Sequence, residues 1–384
     1  MPLRVLVVTP SYPRFRGDYH GRFIQDLCCR LAENGLDINV LTPRTRTYKA
    51  YKSAFDVTRF PFLPSKRMEF LPERTMTHAP LRHLIQLPPY LTSAYLHLIA
   101  EQTDIVHAHL AIPLGYVATL SPRHTPLVVT CHGSDCTLPY ENSLYRPFML
   151  RTLRKASKVV AVSRFIRDLA VRLGALQEKV KVVYLGVDTT MFRPATDKAF
   201  VRRKYGIPAN HIVVGALGRL VPEKRVEDII RAATIVSGKI DAYFVVGGDG
   251  PDRPRLENLA KRLGVRNVSF IGEVADAVSF HQICDIFVLA SVREGLSISL
   301  QEAMATGCVP VAVDGLGCPE LVREGVNGFL FGPRDAEGMA EKILRAASNP
   351  GLGRKARETI EEGFDMRKNA MRYVEIYYEV LSGR

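Results

Sequence analysis

Ile212-Val213-Val214-Gly215-Ala216-Leu217 runs straight into Gly218-Arg219-Leu220-Val221-Pro222-Glu223-Lys224, and a helical pattern follows from about Val226. The first six residues are apolar on both faces, as a strand reads when helices cover both sides of a parallel sheet. Strand, glycine-led loop and helix in that order make one step of such a sheet. The same step recurs outward in both directions. Upstream, strands are expected at Val5–Val8, Ile38–Thr42, Asp104–Ala108, Leu127–Cys131, Val159–Val162 and Val180–Tyr184. Downstream they are expected at Ala242–Val246, Val268–Ile271, Ile286–Ala290 and Val309–Val313. The βαβα order therefore runs twice, which predicts two α/β domains, each a doubly wound parallel sheet.

A chain of 384 residues suits two such domains. The expected division is residues 1–186, a linker at 187–210 carrying Pro194 and Pro208, a second domain at 211–363, and a helix at 364–384 packing back toward the first domain. The first helix shows one apolar face, Phe23, Ile24, Leu27, Cys28, Leu31 and Ala32, with Gly35 placed as its C-cap. No apolar run nears the roughly 20 residues that span a bilayer. The N-terminus enters a strand pattern at once, and the seven cysteines include no C-x-x-C pair. Both suit reduced thiols in a cytoplasm. The net charge of +13 is uneven: residues 1–190 hold 25 Lys+Arg against 14 Asp+Glu, leaving the remainder nearly balanced. Such a bias suggests an anionic partner for the first half, with solubility as the bland alternative.

Ligands of open parallel sheets sit at the carboxyl ends of the strands. There Arg219 and Lys224 can converge on one anion, although alone they read better as solvated surface cations. After the strand Ile286–Ala290 comes Arg293-Glu294-Gly295-Leu296-Ser297-Ile298-Ser299-Leu300-Gln301-Glu302. A carboxylate accepts both protons of a vicinal diol, so Glu294 and Glu302 suit sugar or ribose hydroxyls. The amides of Leu296–Ser299 would point toward phosphate from a helix N-terminus. A helix with acidic residues favoured by its dipole explains the same pair equally well. No Asp-x-Asp follows a strand to hold a metal. His107, His109 and His132 end strands, but nothing in their spacing arranges a zinc set. Asp135 and Glu141 read as acid/base candidates, with helix capping preferred.

Glu294 and Glu302 in E-x7-E spacing, followed by Ala303-Met304-Ala305-Thr306-Gly307, resemble the signature of retaining glycosyltransferase family 4, of GT-B fold. Gly218–Lys224, Val246–Pro251, Phe270-Ile271-Gly272 and Gly186-Val187-Asp188 ahead of Phe192-Arg193-Pro194 are similar to further motifs of that family, in the same order. The resemblance implies two Rossmann-like domains facing a central cleft. It implies that Arg219 and Lys224 bind a diphosphate and Glu302 a ribose, with Glu294 and the amides of Leu296, Ser297 and Ile298 holding the sugar. Gly218, Gly248 and Val274 would line the same donor site. Gly17 and Gly21 look like the glycine-bearing loop of the first domain, and His132, in Thr130-Cys131-His132-Gly133-Ser134-Asp135, would lie against the transferred sugar. Catalysis would rest on His132, Arg219, Lys224 and Glu294. Two positions depart from the family: Leu185 stands where Asn is common, and Leu296 where Gly or Phe is common.

The expected activity is metal-independent transfer, with retention, of a hexose-type sugar from a UDP- or GDP-sugar. The acceptor would be a lipid, polysaccharide or small molecule. No cofactor and no nucleic acid is expected. The rivals are a sugar-nucleotide epimerase of the same architecture and, in another class, a basic nucleic-acid-binding protein. A dehydrogenase is disfavoured because no G-x-G-x-x-G follows Val5–Val8. The basic first half would let a cytoplasmic enzyme dock on the inner, anionic face of a membrane through Arg44, Arg46, Lys49 and Lys52, with Lys66, Arg67 and Arg74. Leu81, Leu84, Ile85, Leu87, Leu91, Tyr95 and Leu98 would add shallow insertion or, equally, core packing, and Pro88-Pro89 interrupts a continuous amphipathic helix.

Overall fold

The computed structural model describes residues 2–45, 47–49, 51, 53–62, 86–207 and 210–383. Arg46, Lys52, Lys66, Arg67, Arg74, Leu81, Leu84 and Ile85, and the linker residue Pro208, lie outside the described residues. The chain divides into two compact units, Met1–Leu185 with Arg367–Arg384, and Gly186–Met366.

Among the described residues the first unit holds seven strands, β1 (Arg4–Val8), β2 (Asp37–Pro43), β3 (Asp56–Phe60), β4 (Ile105–His109), β5 (Leu127–Cys131), β6 (Lys158–Ala161) and β7 (Val180–Val182). They form one parallel sheet in the order β3-β2-β1-β4-β5-β6-β7. β4 and β5 are buried along their whole length, as strands covered on both faces must be. The helix Arg22–Glu33 lays Ile24, Leu27, Cys28 and Leu31 into the core, each such side chain contributing about 1.5–3 kcal/mol. It stops where Leu36 and Gly35 donate back to the carbonyls of Leu31 and Ala32.

The second unit repeats the plan with β8 (Ile212–Leu217), β9 (Ala242–Gly247), β10 (Val268–Gly272), β11 (Ile286–Leu289), β12 (Val309–Val313) and β13 (Phe329–Phe331). The order is β10-β9-β8-β11-β12-β13, again parallel throughout. Each sheet reverses its winding beside its first strand, β1 or β8, and this is where the carboxyl ends open into a binding crevice.

Three stretches add detail to the sequence expectation. Residues 187–210 fall within the second unit and carry the helix Lys198–Lys204, whose Lys198 and Arg202 both pair with Asp285. The helix Met366–Ser382 belongs to the first unit from Arg367 onward, where Tyr373 and Tyr377 are fully buried. Pro88 and Pro89 stand at the start of a helix rather than inside one. They open it, Leu87–Ala100, in the first turn, where a missing N–H costs nothing. That helix buries Leu98 in the core, so Leu98 is unavailable for membrane insertion. Among the described residues no helix is long and apolar enough to cross a membrane.

Candidate active site

The carboxyl edge of the second sheet gathers most of the residues singled out in the sequence. β8 leaves the sheet at Gly218, whose amide donates to the Gly247 carbonyl at 3.1 Å, and the Leu220 amide donates to the Asp249 carbonyl at 2.9 Å. The loops after β8 and β9 thus lie backbone against backbone. Only glycine permits it: a Cβ on Gly248, which holds φ +111°, would stand 1.9 Å from the Gly218 oxygen. Val274, after β10, lies close to Gly247, where a Cβ would stand 2.8 Å from its Cγ2.

Beyond Leu220 the chain makes one turn, Pro222–Lys224, and enters the helix Val226–Ser237. Arg225 is spent on that junction. Its guanidinium grips Asp228 through two hydrogen bonds of 2.9 Å. Lys224 instead points across to the neighbouring strand end, where its ammonium pairs with the Glu294 carboxylate. The Val292 amide, donating to the Glu223 carbonyl at 2.9 Å, ties the two loops together. Arg219 is half-buried, and its guanidinium makes no hydrogen bond or ion pair with the described residues. A small cavity lies here, lined by Gly218, Leu220, Lys224, Gly247, Ala290 and Ser291.

The loop after β11 is built just as tightly. A Cβ on Gly317 would stand 2.2 Å from the Gly295 oxygen, so the segment after β12 supports the turn that presents Glu294. Leu296 is buried. Ser297 caps the helix Ile298–Ala305 by accepting from the Leu300 amide at 3.4 Å. Glu302 sits in that helix, and its Oε2 lies 3.2 Å from Nε2 of the buried His281. Sequence reading missed His281. It stands 21 residues before Glu302, and only the packing of two helices brings them together.

Gly17, Gly21 and His132 lie on the first unit, at the carboxyl ends of β1 and β5. Gly21 takes φ +67° at the start of the helix Arg22–Glu33, where a Cβ would stand 2.4 Å from the Ser11 oxygen. Gly17, at φ +89°, meets nothing. Between them the buried Asp18 accepts from Arg14 N and Nε at 2.9 and 2.7 Å and from the His20 amide at 3.2 Å. Burial alone would raise its pKa, but these donors from Arg14 and His20 hold it well below the usual carboxylate range. The brace escaped the sequence reading because a lone Asp in a loop carries no pattern.

His132 is half-buried, with its Nε2 2.9 Å from His109 Nδ1. Burial pushes its pKa down to about 3. His107 has both ring nitrogens engaged, by Thr130 and Tyr377 at 2.7 Å each. His109 Nε2 is buried without a hydrogen-bond partner among the described residues. Asp135 acts as a brace: its carboxylate accepts from the amides of Ala111, His132 and Gly133 at 2.8–3.0 Å, and so fixes the loop carrying His132.

Residues 20–191 match the family described as Glycosyltransferase Family 4, and residues 197–365 match Glycosyl transferases group 1. The chain is a family 4 glycosyltransferase of GT-B fold. It is 28% identical to the N-acetyl-alpha-D-glucosaminyl L-malate synthase of Bacillus anthracis, over 78% of this chain and 81% of that one. It is 26% identical to the Escherichia coli UDP-Gal:alpha-D-GlcNAc-diphosphoundecaprenol alpha-1,3-galactosyltransferase, over 76% and 79%. In structure it resembles Anabaena Alr3699/HepE in complex with UDP, at a TM-score of 0.77 and 21% identity, covering 98% of this glycosyltransferase and all of the other. The assignment makes the epimerase reading unnecessary.

Proposed function

We propose that this glycosyltransferase moves a hexose-type sugar from a UDP- or GDP-sugar to a lipid-linked, polysaccharide or small-molecule acceptor, with retention and without a metal ion. The observation that carries the reading is the Lys224–Glu294 pair at the carboxyl edge of the second sheet. It sets a cation suited to a diphosphate beside a carboxylate suited to sugar hydroxyls, on loops from adjacent strands. Arg219 supplies the second cation, and the two together take the part that Mg²⁺ takes elsewhere. The amides of Leu296, Ser297 and Ile298 steady the sugar phosphate, and Glu302 accepts from the ribose. The relatives' own donors, UDP-Gal in one name and UDP in one complex, favour uridine among the bases.

In the reaction the bond from the sugar's anomeric carbon to the phosphate oxygen breaks while a bond to the acceptor oxygen forms on the same face. The acceptor's proton passes to the departing phosphate. His132, neutral at pH 7 because burial holds its pKa near 3, positions the sugar rather than donating a proton. Leu296, where the family commonly has Gly or Phe, borders the sugar and leaves its identity to this chain's own pocket. The enzyme works in the cytoplasm, at the inner face of a membrane.

A thermal-shift panel of sugar nucleotides tests this. A true donor at 100 times its Kd stabilises the fold by about 2.7 kcal/mol. A panel in which no nucleotide sugar raises Tm contradicts it.

A further inference from the structure

Glu302 keeps only 18% of its side chain exposed, and its near neighbour His281 keeps none. His281 comes from the helix Ala277–Ile283 and is walled by aromatic rings, with Phe287, Phe280 and Phe192 centroids at 5.1, 5.6 and 6.1 Å. Its Nδ1 has no hydrogen-bond partner among the described residues. Among the described residues its one side-chain hydrogen bond is to Glu302, 3.2 Å from Nε2. Within this pair the ring N–H at Nε2 is the donor and the carboxylate oxygen the acceptor. If this position served packing alone, phenylalanine would fill the aromatic pocket without burying a polar ring. The imidazole is kept for the carboxylate.

We propose that His281 is a positioning residue for donor recognition. By donating to Oε2 it fixes the Glu302 side chain in one rotamer and leaves Oε1, with the second lone pair of Oε2, to accept two hydroxyl protons from a ribose. Glutamate is among the side chains that lose most freedom when immobilised. A carboxylate held in advance binds the diol without that loss, the same advantage that outer partners give to ligating side chains in metal sites. The inference rests on the ribose role proposed above for Glu302.

The test is calorimetry with UDP, GDP, their 2′-deoxy counterparts and inorganic pyrophosphate. His281→Phe should bind the preferred ribonucleotide about tenfold more weakly, the size of one charge-assisted hydrogen bond. It should bind pyrophosphate as wild type does and should lose most of the preference for ribose over deoxyribose. His281→Gln, which retains an N–H donor of similar reach, should recover most of that loss. Ribonucleotide binding within twofold of wild type in His281→Phe overturns the inference. So does an equal loss for pyrophosphate, which marks a collapsed site, or a Gln variant no better than Phe. Glu302→Ala separates the two readings. If it leaves ribonucleotide binding intact, the ribose assignment itself fails. If it weakens binding while His281→Phe does not, only the positioning role fails.

Discussion

The ammonium of Lys224 rests on the carboxylate of Glu294, and a substitution at either residue releases the other. An incoming diphosphate competes with Glu294 for that cation. Glu294→Ala should therefore leave nucleoside diphosphate affinity unchanged or slightly tighter, while turnover of the sugar donor falls. Glu302→Ala should behave differently, weakening free nucleoside diphosphate and the full donor alike by about 1.5–3 kcal/mol, as loss of a hydrogen bond to a charged group does. Calorimetry that finds equal nucleotide losses in both variants contradicts the division of roles. The two carboxylates were legible in the sequence because an eight-residue spacing across a strand end and a helix is a local pattern. Neither the partner of Lys224 nor that of Glu302 was. Seventy residues separate Lys224 from Glu294, and nothing in the sequence shows that Lys224 meets that carboxylate while its neighbour Arg225 pairs with Asp228.

At the scale of elements, the strand-end loops owe their shape to close backbone approach. Gly248→Ala would drive a methyl group into the Gly218 carbonyl and force a left-handed backbone on alanine. It should destabilise the second unit by roughly 1–3 kcal/mol and cut transfer more than any distant Gly→Ala change. Circular dichroism melts beside transfer assays check this; wild-type values for both would mean that the two loops separate freely. In the first unit, His107 and His109 are fully buried at the end of β4. Burial pushes His107 down to about 3 and His109 well below the usual imidazole value. Both stay neutral when folded yet take up protons when unfolded. Their stabilising contribution is whole above about pH 6.5 and falls as pH drops, by up to ~1.4 kcal/mol per histidine per pH unit. Tm measured from pH 7.5 to 5 should fall, and His107→Gln should flatten that slope; a flat wild-type profile contradicts it. Of the thirteen strands among the described residues, eleven stood out in the sequence as apolar runs. The two that did not, β3 and β13, are edge strands. β3 buries only Phe60 fully and sets Thr58 beside Arg59, and β13 spans three residues, too few for a period to register.

Across the whole molecule, charge is distributed unequally, with 25 Lys+Arg against 14 Asp+Glu in residues 1–190. Arg44 and Lys49 are exposed at the end of β2, and Arg46, Lys52, Lys66, Arg67 and Arg74 add to them in sequence. Each cation near an anionic bilayer contributes about 1 kcal/mol, so four or five give reversible attachment. Leu98 is committed to the core, and the charge-driven part of that attachment should fade as salt rises. Flotation with anionic vesicles should carry the protein upward at low salt. Protein left at the bottom of the gradient points to a soluble acceptor. The central claim is that Arg219 and Lys224 stand in for a metal at the diphosphate. Sugar transfer in excess EDTA, with kcat/KM measured for wild type, Arg219→Ala and Lys224→Ala, tests it most directly. Wild type should keep its activity and each folded variant should lose about 2–4 kcal/mol of transition-state stabilisation. Activity abolished by EDTA and restored by Mg²⁺ or Mn²⁺, or variants within about threefold of wild type, would contradict it.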